Sequence, residues 1–559
     1  MSSQISSLKV ERRSDAERRR LMVVFGALML AMLIAALDQT IVSTALPTIV
    51  GDLGGLTQLA WVVTAYILTS TISTPLYGKL GDLYGRKRIF QGAIVIFLVG
   101  SMLCGLSQNM AELIGFRALQ GVGAGGLFVG SQAIIGDIVS PRERGRYMGY
   151  FGAVFGLATV AGPLLGGFLV DHATWRWVFY INVPIGIAAL IATGLVLHLP
   201  RQRRAHRIDY LGASLLGAGV TCIVLLTTWG GTEYPWASAQ TLGLGLAALV
   251  LLGAFIQVER RAAEPILPLQ LFRNSVFAVT NAAGFIIGLA LFGSIVFLPQ
   301  YLQIVKGDGA TNSGLLLVPM MVGLLITSIV SGQLISRTGR YKVWPILGTA
   351  ITVVGLFLLS TMGAATPQIV TAAYMVVLGL GLGGVMQVLV VVVQNSVTQK
   401  DIGVATSTAT FFRSMGGSIG VPIFGAIFRN VLIGKLVTDL PKGFHLGGLA
   451  GGIGNASPQV LDKLPAAIHS GVVHAFSQSL GSVFLAGVPF AVIAFVLVCL
   501  IKEVPLRTRV APVMEGIDES FGYTEGLGQP ATGAEGAPLG LEPLADRTVG
   551  SVSHHDRRD

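Results

Sequence analysis

One carboxylate stands where water is scarce. In the stretch ALMLAMLIAALDQTIVSTALP, residues 27–47, Asp38 lies well inside an otherwise apolar run long enough to cross a bilayer. A charge at that depth costs about 2.5–3.5 kcal/mol even on lenient insertion scales. No other acid lies as deep: Glu112, Asp137, Asp171, Asp209 and Glu259 all sit near the ends of apolar runs. The deep bases are Arg117 and Arg413. Asp38 is too short to reach an interface, so it must face a wet cavity, take a proton or pair with a cation, and Arg117 is the best-placed partner. A dry site favours the protonated carboxyl, while a nearby guanidinium favours the ionised one. Movement between those environments makes a proton carrier; a pair that never separates is architecture. Arg413, in ATFFRSMGGSIG, anchors packing, snorkels inward or meets an anionic substrate. Trp61, Tyr66, Gln120, Asn281, Gln300 and Gln387 are polar or aromatic residues within the runs, each a candidate cavity wall or a plain packing residue.

Such residues need a scaffold that lives in lipid. Of 559 residues, 52% are hydrophobic and only 12% charged, about half the charge a water-soluble chain carries. Mean hydropathy is +0.72. Apolar runs of membrane-spanning length recur from end to end, so an all-α polytopic membrane protein of fourteen spans is expected. Two of those spans are expected at 58–78 and 276–303. The domain plan is a tail at 1–20, a six-helix bundle at 21–199 and two inserted helices at 200–262. A second six-helix bundle at 263–501 carries an outward loop at 430–477, and a polar tail at 502–559, rich in Gly, Pro and Glu, is expected to be disordered. The 73 glycines fit close helix approach.

The net charge of +10 is not gathered into a nucleic-acid patch. Alternate gaps hold KLGDLYGRKR, SPRERGR, RQRRAHR, ERR and RTGRYK, while the opposite gaps are poor in Lys and Arg. By the positive-inside rule the basic gaps and both tails are cytoplasmic. Cys104, Cys222 and Cys499 are scattered in apolar runs, with no disulfide or zinc spacing. His554 and His555 are too little to assign a metal. No Walker loop appears, so ATP drive is not expected, and no nucleophile–base set suggests an enzyme.

The chain repeats weakly at long range. YGKLGDLYGRKR (77–88) is echoed by SGQLISRTGRYK (331–342), with Gly78 and Gly332 offset by 254; Pro163 and Pro422 are offset by 259. Two similar halves around a central site are the basis of rocking transport. In the first copy Gly78 and Gly85 permit a tight turn and close approach, and Asp82 can face a helix N-terminus or pair with Arg86. With Asp137 these make a candidate charged latch. Ser336 and Asn395 stand in the second copy where Asp82 and Asp137 stand in the first, so the gate is expected to be electrostatically lopsided. In GAVFGLATVAGPLLGG, Gly152, Gly156, Gly162, Gly166 and Gly167 surround Pro163: a kink with a smooth face for a neighbouring helix, expected from the other half.

These motifs carry a family resemblance. GKLGDLYGRKR resembles the loop between helices two and three of the major facilitator superfamily, RALQGVGAGG (117–126) its helix-four motif, and residues 152–167 the helix-five motif of its proton-driven exporters. LDQTIVSTALPTI (37–49) and WRWVFYINVPIG (175–186) are similar to the fourteen-helix drug:proton antiporters of the EmrB/QacA type. The similarity spans about residues 20 to 505. It implies a major facilitator fold, a gating role for the latch and an exporter hinge at helix five. The expected function is proton-coupled export of hydrophobic, amphipathic or cationic compounds from a bacterial plasma membrane. It needs no cofactor beyond the proton motive force and works as a monomer. The alternatives are a dedicated exporter of one endogenous metabolite, antibiotic or lipid, and a non-transporting membrane sensor.

Overall fold

A backbone in lipid must satisfy its own hydrogen bonds, and these apolar runs do so as helices. The computed structural model describes residues 15–53, 58–197, 209–231, 233–308, 310–439 and 465–506, and among them no strand occurs. The helices are α1 (Asp15–Leu53), α2 (Leu59–Tyr84), α3 (Arg86–Leu106), α4 (Met110–Ile138), α5 (Pro141–His172), α6 (Trp177–Tyr180), α7 (Asn182–Val196), α8 (Tyr210–Trp229) and α9 (Ala239–Glu259). There follow α10 (Ser275–Ile295), α11 (Leu298–Gln300), α12 (Ala310–Leu316), α13 (Val318–Thr338), α14 (Val343–Ser360), α15 (Gln368–Gly383), α16 (Met386–Asn395), α17 (Ile402–Asp439) and α18 (Ala466–Leu500).

Local chemistry sets several ends. Asn109 accepts the Glu112 N–H at 2.9 Å, Asp209 that of Gly212 at 2.7 Å, and Ser238 that of Thr241 at 3.2 Å, each capping a helix start. Pro141 opens α5, and Gly339 closes α13 in the left-handed conformation.

Twelve helices among the described residues are long and apolar enough to cross a membrane, which corrects the expected fourteen. The two expected spans outside that set are α2 and α10. Helix α2 is long, but Thr64, Thr69, Ser70, Thr71, Ser73, Thr74, Lys79 and Asp82 dilute its apolar character. In α10 the apolar stretch Ser275–Leu291 is shorter than a full span, and the helix gives way after Ile295, before the π-helical turn Tyr301–Val305. Two boundaries also move. Helix α1 begins at Asp15, inside the expected tail, and α17 runs on to Asp439 while α18 begins at Ala466, which shortens the expected loop. The middle of that loop, the gap RQRRAHR and most of both tails lie outside the described residues.

Small residues hold the bundle. A Cβ on Gly149 of α5 would come within 2.5 Å of the Ser328 carbonyl oxygen of α13, and one on Gly323 within 2.6 Å of the Val376 oxygen of α15. Backbones meet where lipid offers no hydrophobic drive for association. Outside, Leu195, Leu246 and Leu249 are more than half exposed, a coat suited to acyl chains. Gly149→Val is expected to cost about 1–3 kcal/mol through overpacking against that carbonyl. Thermal unfolding of the detergent-solubilised protein checks it, with Gly26→Ala, which meets nothing within 4 Å, as the neutral control.

Candidate functional site

Asp38 is fully buried and carries three hydrogen bonds. Arg117 Nη1 donates to its Oδ2 at 2.5 Å, while Gln120 Nε2 and Asn182 Nδ2 donate to its Oδ1 at 2.8 and 2.9 Å. The helix geometry explains the convergence. Arg117 and Gln120 are three apart, hence on one face of α4. Gly100 of α3 lets α4 approach so closely that a Cβ there would lie 2.6 Å from the Gln120 backbone. Arg117 is 1% exposed, donates further to Gln120 Oε1 at 2.7 Å and the Val62 carbonyl at 3.3 Å, and lies 4.1 Å over the Tyr66 ring. Tyr66 in turn donates to the Ala35 carbonyl at 3.3 Å. Asn182 also reaches Ser101 Oγ at 3.0 Å. All three are N–H donors aimed at the carboxylate oxygens.

A second charged cluster lies at the end of the bundle that carries the basic gaps. Arg86 bridges two acids: its Nη2 pairs with Asp82 Oδ1 and its Nε with Asp137 Oδ2 at 2.7 Å. Asp82 Oδ2 also accepts the Val404 N–H at 2.8 Å, at the start of α17. Asp82 therefore faces a helix N-terminus and pairs with Arg86 at once. Gly85 has φ +95°, a conformation L side chains rarely adopt, and it turns the chain so that Arg86 folds back on Asp82. Gly78 lets α2 touch Ser407 and the Gly403 carbonyl of α17. The second copy is bound differently: Arg142 donates to the Ser336 and Arg337 carbonyls at 3.0 and 2.8 Å, and Ser336 Oγ accepts the Arg146 N–H at 3.2 Å.

Burial pushes the Asp82 carboxyl up to about 6 from its ordinary 3.8, Arg86 opposing and Asp137 adding to the rise. A raised value means the closed cluster holds its proton more tightly than an open one. The stabilisation is full below 3.8 and is lost as pH rises through about 6. The cluster is expected to loosen over that window, read by thiol labelling of Ser407→Cys, and Asp82→Asn is expected to flatten the response.

The helix-five glycines serve two faces rather than one. Gly152 and Gly156 lie against Ser328 and Leu325 of α13, whereas Gly162 and Gly166 lie against Thr40 and Thr44 of α1. Pro163, inside the helix, marks the change of face and packs its ring 3.0 Å from where a Gly314 Cβ would lie. Gly167 is partly exposed.

The remaining candidates are not gathered into one site. Tyr66 and Gln120 belong to the Asp38 network. Trp61 meets Trp229 edge to face at 5.9 Å. Asn281 donates to the Phe277 carbonyl at 2.8 Å, but its Oδ1, like Gln387 Oε1, is buried without a partner among the described residues. Gln300 is partly exposed in the short α11. Arg413 has neither an ion pair nor a hydrogen bond among the described residues. Sequence reasoning missed Asn182; the signal was one amide inside the apolar INVPIG. It also missed Asp52, which accepts from Trp175 Nε1 at 2.7 Å and pairs with Arg176 at 3.4 Å.

Comparison with known proteins gives one consistent picture. The Major Facilitator Superfamily model matches residues 28–421. An MFS-type transporter of Mycobacterium tuberculosis is 45% identical over 500 residues, covering 89% of this chain and 72% of that one. The multidrug transporter protein MdtP of Bacillus subtilis is 38% identical over 526 residues, covering 90% of this chain and 97% of that one. Among solved structures, the human organic anion transporter MFSD10 superposes with a TM-score of 0.57 at 14% identity, covering 87% of this chain and all of that one, a likeness of fold alone.

Proposed function

The chain belongs to the major facilitator superfamily and is a multi-pass membrane transporter; from that premise we propose that it is a proton-driven exporter of hydrophobic or amphipathic compounds, of the drug:proton antiporter kind. The observation that carries this reading is the sealed Asp38–Arg117 pair. A carboxylate locked between three donors is poor architecture by itself, because buried ion pairs seldom outdo apolar packing. It becomes useful if one conformation withdraws the donors and lets a proton in. Substrate leaves as that proton enters, and the return stroke restores the pair and releases it. The halves at 21–199 and 263–501 rock about this point, with the basic end and both termini on the cytoplasmic side of a bacterial plasma membrane. The Asp82–Arg86–Asp137 cluster closes that end while the other is open. Export of drug-like compounds is supported by the likeness to the Bacillus subtilis multidrug transporter.

The test is an efflux assay in everted membrane vesicles under an imposed pH gradient, screened with dyes and antibiotics. Substrate-dependent proton flux is the expected result. No such flux with any substrate overturns the reading and favours a sensor.

A further inference from the structure

The deep charge of this bundle does not balance. Asp38, the acid deep in the spans, is fully engaged by Arg117, Gln120 and Asn182. Arg413 is left over. It lies eleven residues beyond Ile402, the first residue of α17, and so about 16 Å along the helix, near the middle of an apolar core of about 30 Å. Its side chain makes no ion pair and no hydrogen bond among the described residues, and the residue as a whole is partly exposed.

Several residues stacked with it along α17 lie inside the bundle. Thr406, Thr410, Gly417, Gly420 and Phe424 share its face of α17, and all are buried. Thr406 Oγ1 receives Gln394 Nε2 of α16 at 2.9 Å, and the same amide reaches the Gln132 carbonyl of α4 at 3.3 Å. Two turns before Arg413, at Thr406, this face meets α16 and α4, where the two halves approach. Nor can α17 rotate the group away. Gly288 of α10 lies against the Arg413 carbonyl, and Gly416 and Gly420 lie against the Phe285 and Leu289 carbonyls of α10. A second unsatisfied group lies on α10, the helix that packs against this part of α17. Asn281 is two turns before Gly288 on the same face of α10, is 1% exposed, and its Oδ1 has no partner among the described residues.

We propose that Arg413, with Asn281 of the adjoining α10, is the polar anchor for an anionic group of the substrate, so that the transported compounds include amphipathic carboxylates. This rests on the exporter reading. A guanidinium presents a planar fork that takes a carboxylate through two parallel hydrogen bonds, and the free Asn281 oxygen is an acceptor for an O–H or N–H of the same compound. The bound anion supplies the charge the protein lacks. A cationic compound finds no deep counter-charge here while Asp38 is held by Arg117.

Binding, rather than transport, is the test, so that it stands apart from proton coupling. Carboxyfluorescein and ethidium are titrated by fluorescence anisotropy onto the purified full-length protein in detergent. Wild-type protein is expected to bind carboxyfluorescein saturably, and decanoate, but not decyltrimethylammonium, to displace it. Arg413→Gln is expected to weaken carboxyfluorescein at least tenfold and leave ethidium within twofold, while Arg413→Lys, which keeps the charge without the fork, weakens it less. The proposal is overturned if wild type shows no saturable carboxyfluorescein binding, if decyltrimethylammonium displaces it as well as decanoate, or if Arg413→Gln changes neither dye or both alike. Should Arg413→Gln fail to fold, the displacement pair on wild type decides. Loss of pH-driven efflux from vesicles, with carboxylate binding intact, would instead sink the proton-coupled reading alone.

Discussion

Asp38→Asn is expected to reduce pH-gradient-driven efflux at least about tenfold, equivalent to 1.4 kcal/mol or more lost from the coupled step, while protein abundance stays near wild type. The amide keeps an oxygen for the donors but can neither bind nor release a proton. Arg117 keeps the Gln120 oxygen, the Val62 carbonyl and the Tyr66 ring face, so the site retains most of its contacts. Exchange of substrate without a gradient should persist, because rocking itself does not need the proton. Asp38→Glu should recover part of the driven efflux. Undiminished gradient-driven transport by Asp38→Asn would reduce the pair to a structural clasp.

The second large effect is expected at Arg86. Its Nη2 and Nε hold two different acids, and Arg86→Met leaves Asp82 and Asp137 facing each other with their shared cation gone. Breaking a buried ion pair on one side costs about 3–5 kcal/mol, enough to shift a balanced two-state gate almost wholly to the open form. Efflux should collapse, and Ser407→Cys, sheltered where α2 meets α17, should label rapidly. Arg86→Lys should rescue only partly, since a point charge cannot reach both acids in the geometry of a fork. Unchanged labelling together with unchanged efflux would show that this cluster does not gate.

Much of the site could be read from residue type because lipid makes charge conspicuous. Asp38 and Arg117 stood out as deep charges in apolar runs, and only two helices of one bundle could bring them together. Asp82, Arg86 and the flanking glycines were legible for a similar reason: a turn between two helices needs Gly85, and an acid there has no orienting purpose. Asn182 escaped because a single amide in a span is as often a packing residue as a ligand. The two faces of helix five escaped because glycine spacing shows that something comes close and not which helix does. The span count failed where composition and length part company, at the Ser- and Thr-rich α2 and at α10, whose helix stops at Ile295, short of the expected 303.

The sequence by itself determined the medium, the helices, the weak duplication and the few ionisable groups able to do chemistry. These follow from local composition and periodicity, which are properties of short stretches of chain. Only the tertiary structure decided which charges are matched. It closed Asp38 between three donors, set Arg86 between two acids and left Arg413 without a partner among the described residues. Apart from Arg86 with Asp82, four residues away, these pairings join residues from about 50 to more than 300 positions apart, and no local pattern encodes whether a buried charge will find its complement within the chain or must wait for a ligand.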